Sequence, residues 1–96
     1  MFELKFTNSC LRDFGKISRD AQIFIRSECF LLLQNNPHIG QKLVGKNFNN
    51  IFKLKTKFQR TEYRIFYRID DNELVVLIIM IASRENVYKK LGNRIG

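Results

Sequence analysis

From Ile51 to Ile69 apolar and polar side chains alternate with a period of two, the side-chain repeat of a β-strand. In the first part of this stretch Phe52 and Leu54 fall on one face, Lys53 and Lys55 on the other. In the second, Tyr63, Ile65, Tyr67 and Ile69 share a face, and Arg64, Phe66 and Arg68 share the opposite one. Strands are predicted over 51–56 and 62–69. Paired as a hairpin, they put Lys53, Lys55, Arg64 and Arg68 on one face with Phe66 among them. The connection, roughly 56–61, reads as longer than a two-residue turn and carries Lys57 and Arg60.

The flanking patterns complete an α+β domain. Phe2, Leu4 and Phe6 alternate as a first strand over 2–6. Thr7, Asn8 and Ser9 offer N-caps for a short helix over 8–16, with Gly15 near its stop. Ser18 caps a second helix over 19–34, whose expected buried stripe is Ala21, Ile25, Cys29 and Leu32, flanked by Phe24 and Leu33. Pro37 ends it, because the residue before a proline is pushed out of the helical region. Residues 37–50 read as an irregular loop. After a polar turn at Asp70, Asp71 and Asn72, the run 74–82 is apolar on both faces, as in a central strand covered on each side. Residues 85–91 can form one or two helical turns. The predicted fold is one domain over 1–96: a four-stranded antiparallel sheet, two N-terminal helices packed on one face and a short C-terminal helix.

Charge sharpens this picture. The formal net charge is +8 over 96 residues. Residues 1–39 hold five Lys and Arg against four Asp and Glu, residues 40–96 twelve against five. The basic field therefore sits on the strand-rich half. A row of solvated cations has the same periodicity, but a field this uneven favours a polyanionic partner. No basic amphipathic helix points to a membrane surface. The longest apolar run, nine residues, is short of the ~20 a membrane helix needs. The N-terminus lacks the order of a signal peptide. Cys10 and Cys29 make no disulfide framework and are expected as buried free thiols in a reducing cytoplasm. The single histidine, His38, stands in the loop beside Pro37, where a surface role is more common than a catalytic one.

Several short motifs occur in a characteristic order: Asn-Pro-x-x-Gly at 36–40, Leu-x-Gly at 43–45, Lys53-x-Lys55, Tyr63-Arg64-x-x-Tyr67, and Arg84 followed by Tyr88. Over nearly its whole length the chain resembles the RelE/ParE superfamily of bacterial toxins, and within it the RelE-like ribosome-dependent mRNA interferases. The resemblance implies Lys53, Lys55, Arg64, Arg84 and Tyr88 as a catalytic set, with Lys57, Arg60, Phe66, Arg68, Lys89 and Lys90 as RNA contacts. It implies a cytoplasmic toxin that inhibits translation by cutting mRNA on the ribosome, held off by a cognate antitoxin with an acidic segment in a toxin–antitoxin hetero-oligomer. No cofactor and no metal are expected. Two other classes stay open: a ParE-like inhibitor of DNA gyrase without nuclease chemistry, and a catalytically silent nucleic-acid- or antitoxin-binding relative. Glu62 departs from the family pattern, which often has a small residue before the tyrosine.

The residue types suit the chemistry. Attack of a ribose 2′-hydroxyl on the adjacent phosphate needs a base, a stabiliser of phosphorane charge and an acid for the 5′ oxygen. A pair of histidines is lacking, and the acids at 70, 71 and 73 form no metal-like cluster. Crowded cations favour the neutral amine, which makes Lys53 or Lys55 a candidate base. Arg64 and Arg84 offer fork-like donors to phosphate. Tyr88 can stack on a base or help move a proton.

Overall fold

The computed structural model describes residues 1–83 and 87–95. The sheet has five strands: β1 (Glu3–Phe6), β2 (Gln41–Lys42), β3 (Ile51–Phe58), β4 (Thr61–Asp70) and β5 (Val75–Ala82), in the order β1-β5-β4-β3-β2. It is mixed, not purely antiparallel, because β1 pairs parallel to β5, with Glu3 opposite Val75 and Phe6 opposite Ile78. Chain direction explains this. The helices carry the chain back to the end of the sheet where β1 starts, and the Gln34 carbonyl there accepts the Phe2 N–H at 2.8 Å. Two antiparallel pairings, β3 to β4 and β4 to β5, then leave β5 running in the direction of β1. The two-residue β2 was not predicted, since two ladder pairs leave no periodicity to read.

The basic hairpin is tighter than expected. Phe58 pairs with Thr61, so only Gln59 and Arg60 connect β3 to β4, with Gln59 left-handed at φ 57°. The alternation continues to Phe58, whose ring packs 5.0 Å from Phe24 and holds the strand against the helices.

Helix α1 (Asn8–Lys16) is capped by Thr7, whose Oγ1 accepts the Cys10 N–H at 3.1 Å. Ser18 does the same for α2 (Arg19–Phe24), accepting the Ala21 N–H at 3.2 Å. The second predicted helix is not uniform: a π-helical stretch (Ile25–Phe30) separates α2 from α3 (Leu31–Asn35). Residues four apart drift around a 3.6-residue helix. The wider turn absorbs that drift, so Ala21, Ile25, Cys29 and Leu33 all stay buried, with Phe30, while Leu32, predicted in the stripe, is exposed.

These helices cover one face of the sheet, meeting Tyr63, Ile65, Tyr67, Val76, Ile78 and Ile81. The C-terminal helix α4 (Val87–Ile95) is longer than predicted and lies on the other face, where Val87 and Leu91 pack with Ile51, Phe66, Ile79 and Met80. Ile79 is the extra residue of a β-bulge, because Phe66 pairs with Met80 while Tyr67 pairs with Ile78. The bulge turns two consecutive apolar side chains toward α4, and β5 is thus buried on both faces. Cys10 and Cys29 are buried free thiols. No described helix is long and apolar enough to cross a membrane.

The motifs of the 36–40 loop and of β4 turn out to be two halves of one contact. Tyr67, fully buried, donates its hydroxyl to the Pro37 carbonyl at 2.7 Å. Gly40 lies so close that a Cβ there would collide with the same hydroxyl. Burial pushes the Tyr67 phenol up to about 12, partly offset by a backbone hydrogen bond from Gly40.

Candidate functional site

The register of the basic hairpin puts Lys55 opposite Arg64 and Lys53 opposite Phe66. Lys53, Lys55 and Arg64 therefore share the face that α4 partly covers, as the alternation predicted, while Tyr63, Ile65 and Tyr67 face the other helices. Helix α4 delivers Tyr88 to this face. The Lys53 ammonium donates to the Tyr88 hydroxyl at 2.6 Å, with Nζ 5.3 Å from the ring centroid. The ring rests edge-on against Phe66 at 5.8 Å and Phe48 at 6.3 Å, yet Tyr88 stays 40% exposed. It has an aromatic support behind it and an open side toward solvent.

Arg64 is half-buried, and its Nη2 lies 2.8 Å from Glu62 Oε1, which also stands 3.8 Å from Lys55 Nζ. Glu62 shares the face because it precedes Arg64 by two residues on β4. Arg84 lies outside the described residues, as does the start of the predicted segment 85–91. Lys57, opposite Glu62, and Arg60, in the hairpin turn, are exposed and extend the basic strip toward the tip.

The other predicted contacts are dispersed. Phe66 is fully buried beneath Tyr88, so its ring is a floor for the site and cannot meet a base. Alternation placed it on the basic face correctly, but α4 closes over it. Arg68, four residues from Arg64 and thus roughly 13 Å along the strand, borders a separate concavity of about 540 Å³ with Lys5, Asn50 and Asn72. Lys90 turns into a groove of about 460 Å³ between α1 and α4, lined also by Lys16 and Arg94. Lys89 is exposed on α4. His38 packs edge-on against Phe52, a helix-side residue, and pairs with Asp71 at 2.9 Å, away from Lys53. Among the described residues no cluster of His, Cys, Asp or Glu could hold a metal.

Two residues outside the predicted set hold α4 in place. Asp13 on α1 receives a fork from Arg94, with Nη1 at 2.6 Å and Nη2 at 2.8 Å, and also accepts the Ile81 N–H at 3.2 Å. Arg94 Nη1 further donates to the carbonyl of the bulged Ile79 at 3.2 Å, which the Thr7 hydroxyl also reaches. Hydrogen bonding to Asp13 raises the Arg94 pKa against the opposing cost of burial. This fork closes β5 beyond the end of β1 and pins the far end of the helix that carries Tyr88. The partners lie 81 residues apart, and no local pattern announces the contact.

The family described as "ParE toxin of type II toxin-antitoxin system, parDE" matches residues 4–88. The chain belongs to this family of toxins, within the RelE/ParE superfamily. Solved structures share the fold of this toxin. The free E. coli RelE toxin, in a double arginine-to-alanine variant, superposes with a TM-score of 0.74 at 22% identity, covering 99% of this chain and 98% of that one. The toxin–antitoxin complex RelBE2 from Mycobacterium tuberculosis gives 0.72 at 26% identity, over 86% and 98%. The intact E. coli RelBE complex gives 0.72 at 19%, over 90% and 100%. A search of curated proteins found no match.

Proposed function

We propose that this type II toxin is a ribosome-dependent mRNA endoribonuclease of the RelE kind. The observation that carries the reading is the 2.6 Å hydrogen bond from Lys53 to Tyr88 on the face that also bears Lys55 and Arg64. An amine and a phenol in direct contact can relay a proton, beside a guanidinium suited to phosphorane charge. In the proposed step the 2′-hydroxyl loses its proton to a site amine and its oxygen attacks phosphorus. The bond to the 5′ oxygen breaks, and that oxygen takes a proton, leaving a 2′,3′-cyclic phosphate and a 5′-hydroxyl. Lys53 or Lys55 serves as base, Arg64 and Arg84 hold the phosphate, and Tyr88 stacks on a base or passes the proton. Phe66 supports the Tyr88 ring. Lys57 and Arg60 extend the phosphate track toward the hairpin tip, and Arg68, Lys89 and Lys90 add to the long-range field.

The relatives crystallised as RelBE complexes support an antitoxin as partner. The excess of positive charge in residues 40–96 suits an acidic segment laid over this face. Co-expression with the neighbouring small open reading frame should yield a co-purifying complex.

The decisive experiment is primer extension on a message in a translation extract, with a no-ribosome control. Cuts within codons, independent of divalent metal in the chemical step and ending in a 5′-hydroxyl, are expected. Tyr88→Phe should lose less than Tyr88→Ala if the ring stacks, and nearly as much if the hydroxyl moves a proton. The second reading, a ParE-like toxin acting on DNA gyrase, is favoured by the family description itself. Intact messages together with gyrase trapped on DNA would establish that reading in place of the nuclease.

A further inference from the structure

The geometry points to Glu62 as an internal stand-in for a substrate phosphate, seated on the cations that the RNA backbone must take over. Its Oε1 lies 2.8 Å from Arg64 Nη2 and 3.8 Å from Lys55 Nζ, whose strands pair these two residues directly. Among the described residues, Glu62 is the one carboxylate within 4 Å of the basic face's cations. Both cations make their closest approach to the same oxygen of Glu62. A guanidinium prefers two parallel bonds to an oxyanion, which a phosphate can supply. The Glu62 side chain is 44% exposed. A partner held by partly exposed ion pairs is worth little and is exchanged readily.

This arrangement has a consequence for selectivity. With Glu62 in place, Arg64 and Lys55 are partly neutralised, and stray anions gain little there. A bound RNA strand displaces the carboxylate only where its own phosphate reaches Arg64. Glu62 is thus a positioning and specificity residue that lowers affinity for RNA backbone in general. Lys53 is outside its reach, already engaged with Tyr88.

The inference rests on the nuclease reading, and binding without cleavage separates the two. The probe is a fluorescent eight-nucleotide 2′-O-methyl oligoribonucleotide, which lacks the attacking hydroxyl. It is titrated against wild type, Glu62→Gln and Glu28→Gln at several salt concentrations. Glu28 is an exposed acid of the π-helical stretch, so its variant makes the same change in net charge elsewhere. Glu62→Gln should bind about two- to fivefold tighter, and the slope of log K against log salt should steepen by about 0.7, one more single-strand phosphate contact. That gain should shrink in an Arg64→Ala background, where the freed cation is missing. Unchanged or weaker binding by Glu62→Gln, or an equal gain from Glu28→Gln, would overturn the assignment while leaving the nuclease reading standing. An oligonucleotide that binds none of the proteins would overturn the assignment alone, because the nuclease reading engages the message on the ribosome.

Discussion

The two faces of the β3–β4 hairpin are made from alternate residues of the same strands, and they differ in what they tolerate. On the helix side Tyr63, Ile65 and Tyr67 are buried against Ala21, Ile25, Cys29 and Leu33. On the other side Phe66 and Ile51 are buried under α4, but Lys53, Lys55 and Arg64 emerge beyond its edge. The first face is closed by apolar packing, with a buried hydrogen bond from Tyr67 to the Pro37 carbonyl. The second is closed over half its length and left charged over the rest. Cations this close repel one another, and the cost is met by Glu62, by the phenol of Tyr88 and by the packed face beneath. One strand pair can hold a demanding site because its other side supplies the stability.

Neighbouring substitutions should therefore fail in different ways. Ile65→Ala should lower unfolding free energy by about 2–5 kcal/mol, measured by urea denaturation, with cleavage per folded molecule retained. Arg64→Ala and Lys53→Ala should leave the unfolding midpoint nearly unchanged and reduce message cleavage by ~10²–10³. Equal loss of stability from both kinds of variant would dissolve the division between the faces. Arg84→Ala is expected to behave like Arg64→Ala.

The helix side should also carry the alkaline sensitivity. Burial raises the Cys10 thiol from 9.0 to about 12 and the Tyr67 phenol from 10.0 to about 12. Both groups stay neutral in the folded protein after their unfolded counterparts have ionised. Their contribution is complete below pH 9 for Cys10 and pH 10 for Tyr67, and it is lost as pH rises toward 12. Unfolding midpoints should hold up to about pH 9 and fall above it. Burial raises the Cys29 thiol as well, so Cys10→Ala should reduce the part of that fall that begins below pH 10 and removal of both thiols should abolish it. Identical profiles for all three proteins would place the sensitivity elsewhere.

The contact that ties the faces together should show a smaller, local effect. Asp13→Asn weakens the fork to Arg94 and should cost about 1–3 kcal/mol. Amide exchange should quicken in α4 while β3 and β4 keep their protection, and cleavage should drop as Tyr88 loses its mooring. If exchange rises evenly through the sheet, the fork belongs to the common core and not to α4. Smallest of all, Leu74→Gly should raise stability by about 0.5–1 kcal/mol, because Leu74 sits half-exposed in the left-handed region at φ 55°. Activity should be untouched, as Leu74 belongs to neither half of the comparison.

Side-chain alternation is a local property, and it was sufficient to assign the basic face. Lys53, Lys55 and Arg64 had to share a side of the sheet once β3 and β4 paired, and Glu62 joins them by the same count of two. The caps at Thr7 and Ser18 were equally local, since each is satisfied within three residues. Direction and closure were not. A strand pattern is the same read up or down, so the parallel pairing of β1 with β5 depended on where the helices returned the chain. The π-helical turn emerged from packing, because a four-residue apolar spacing sits on one face only if the helix widens. Phe66 looked available by its position and is covered, because covering depends on where α4 lands. That landing is decided by the bulge at Ile79 and by the Asp13–Arg94 fork, a contact spanning 81 positions. The short-range periods thus assigned faces to residues, and long-range packing decided which of those residues reach solvent and which meet one another.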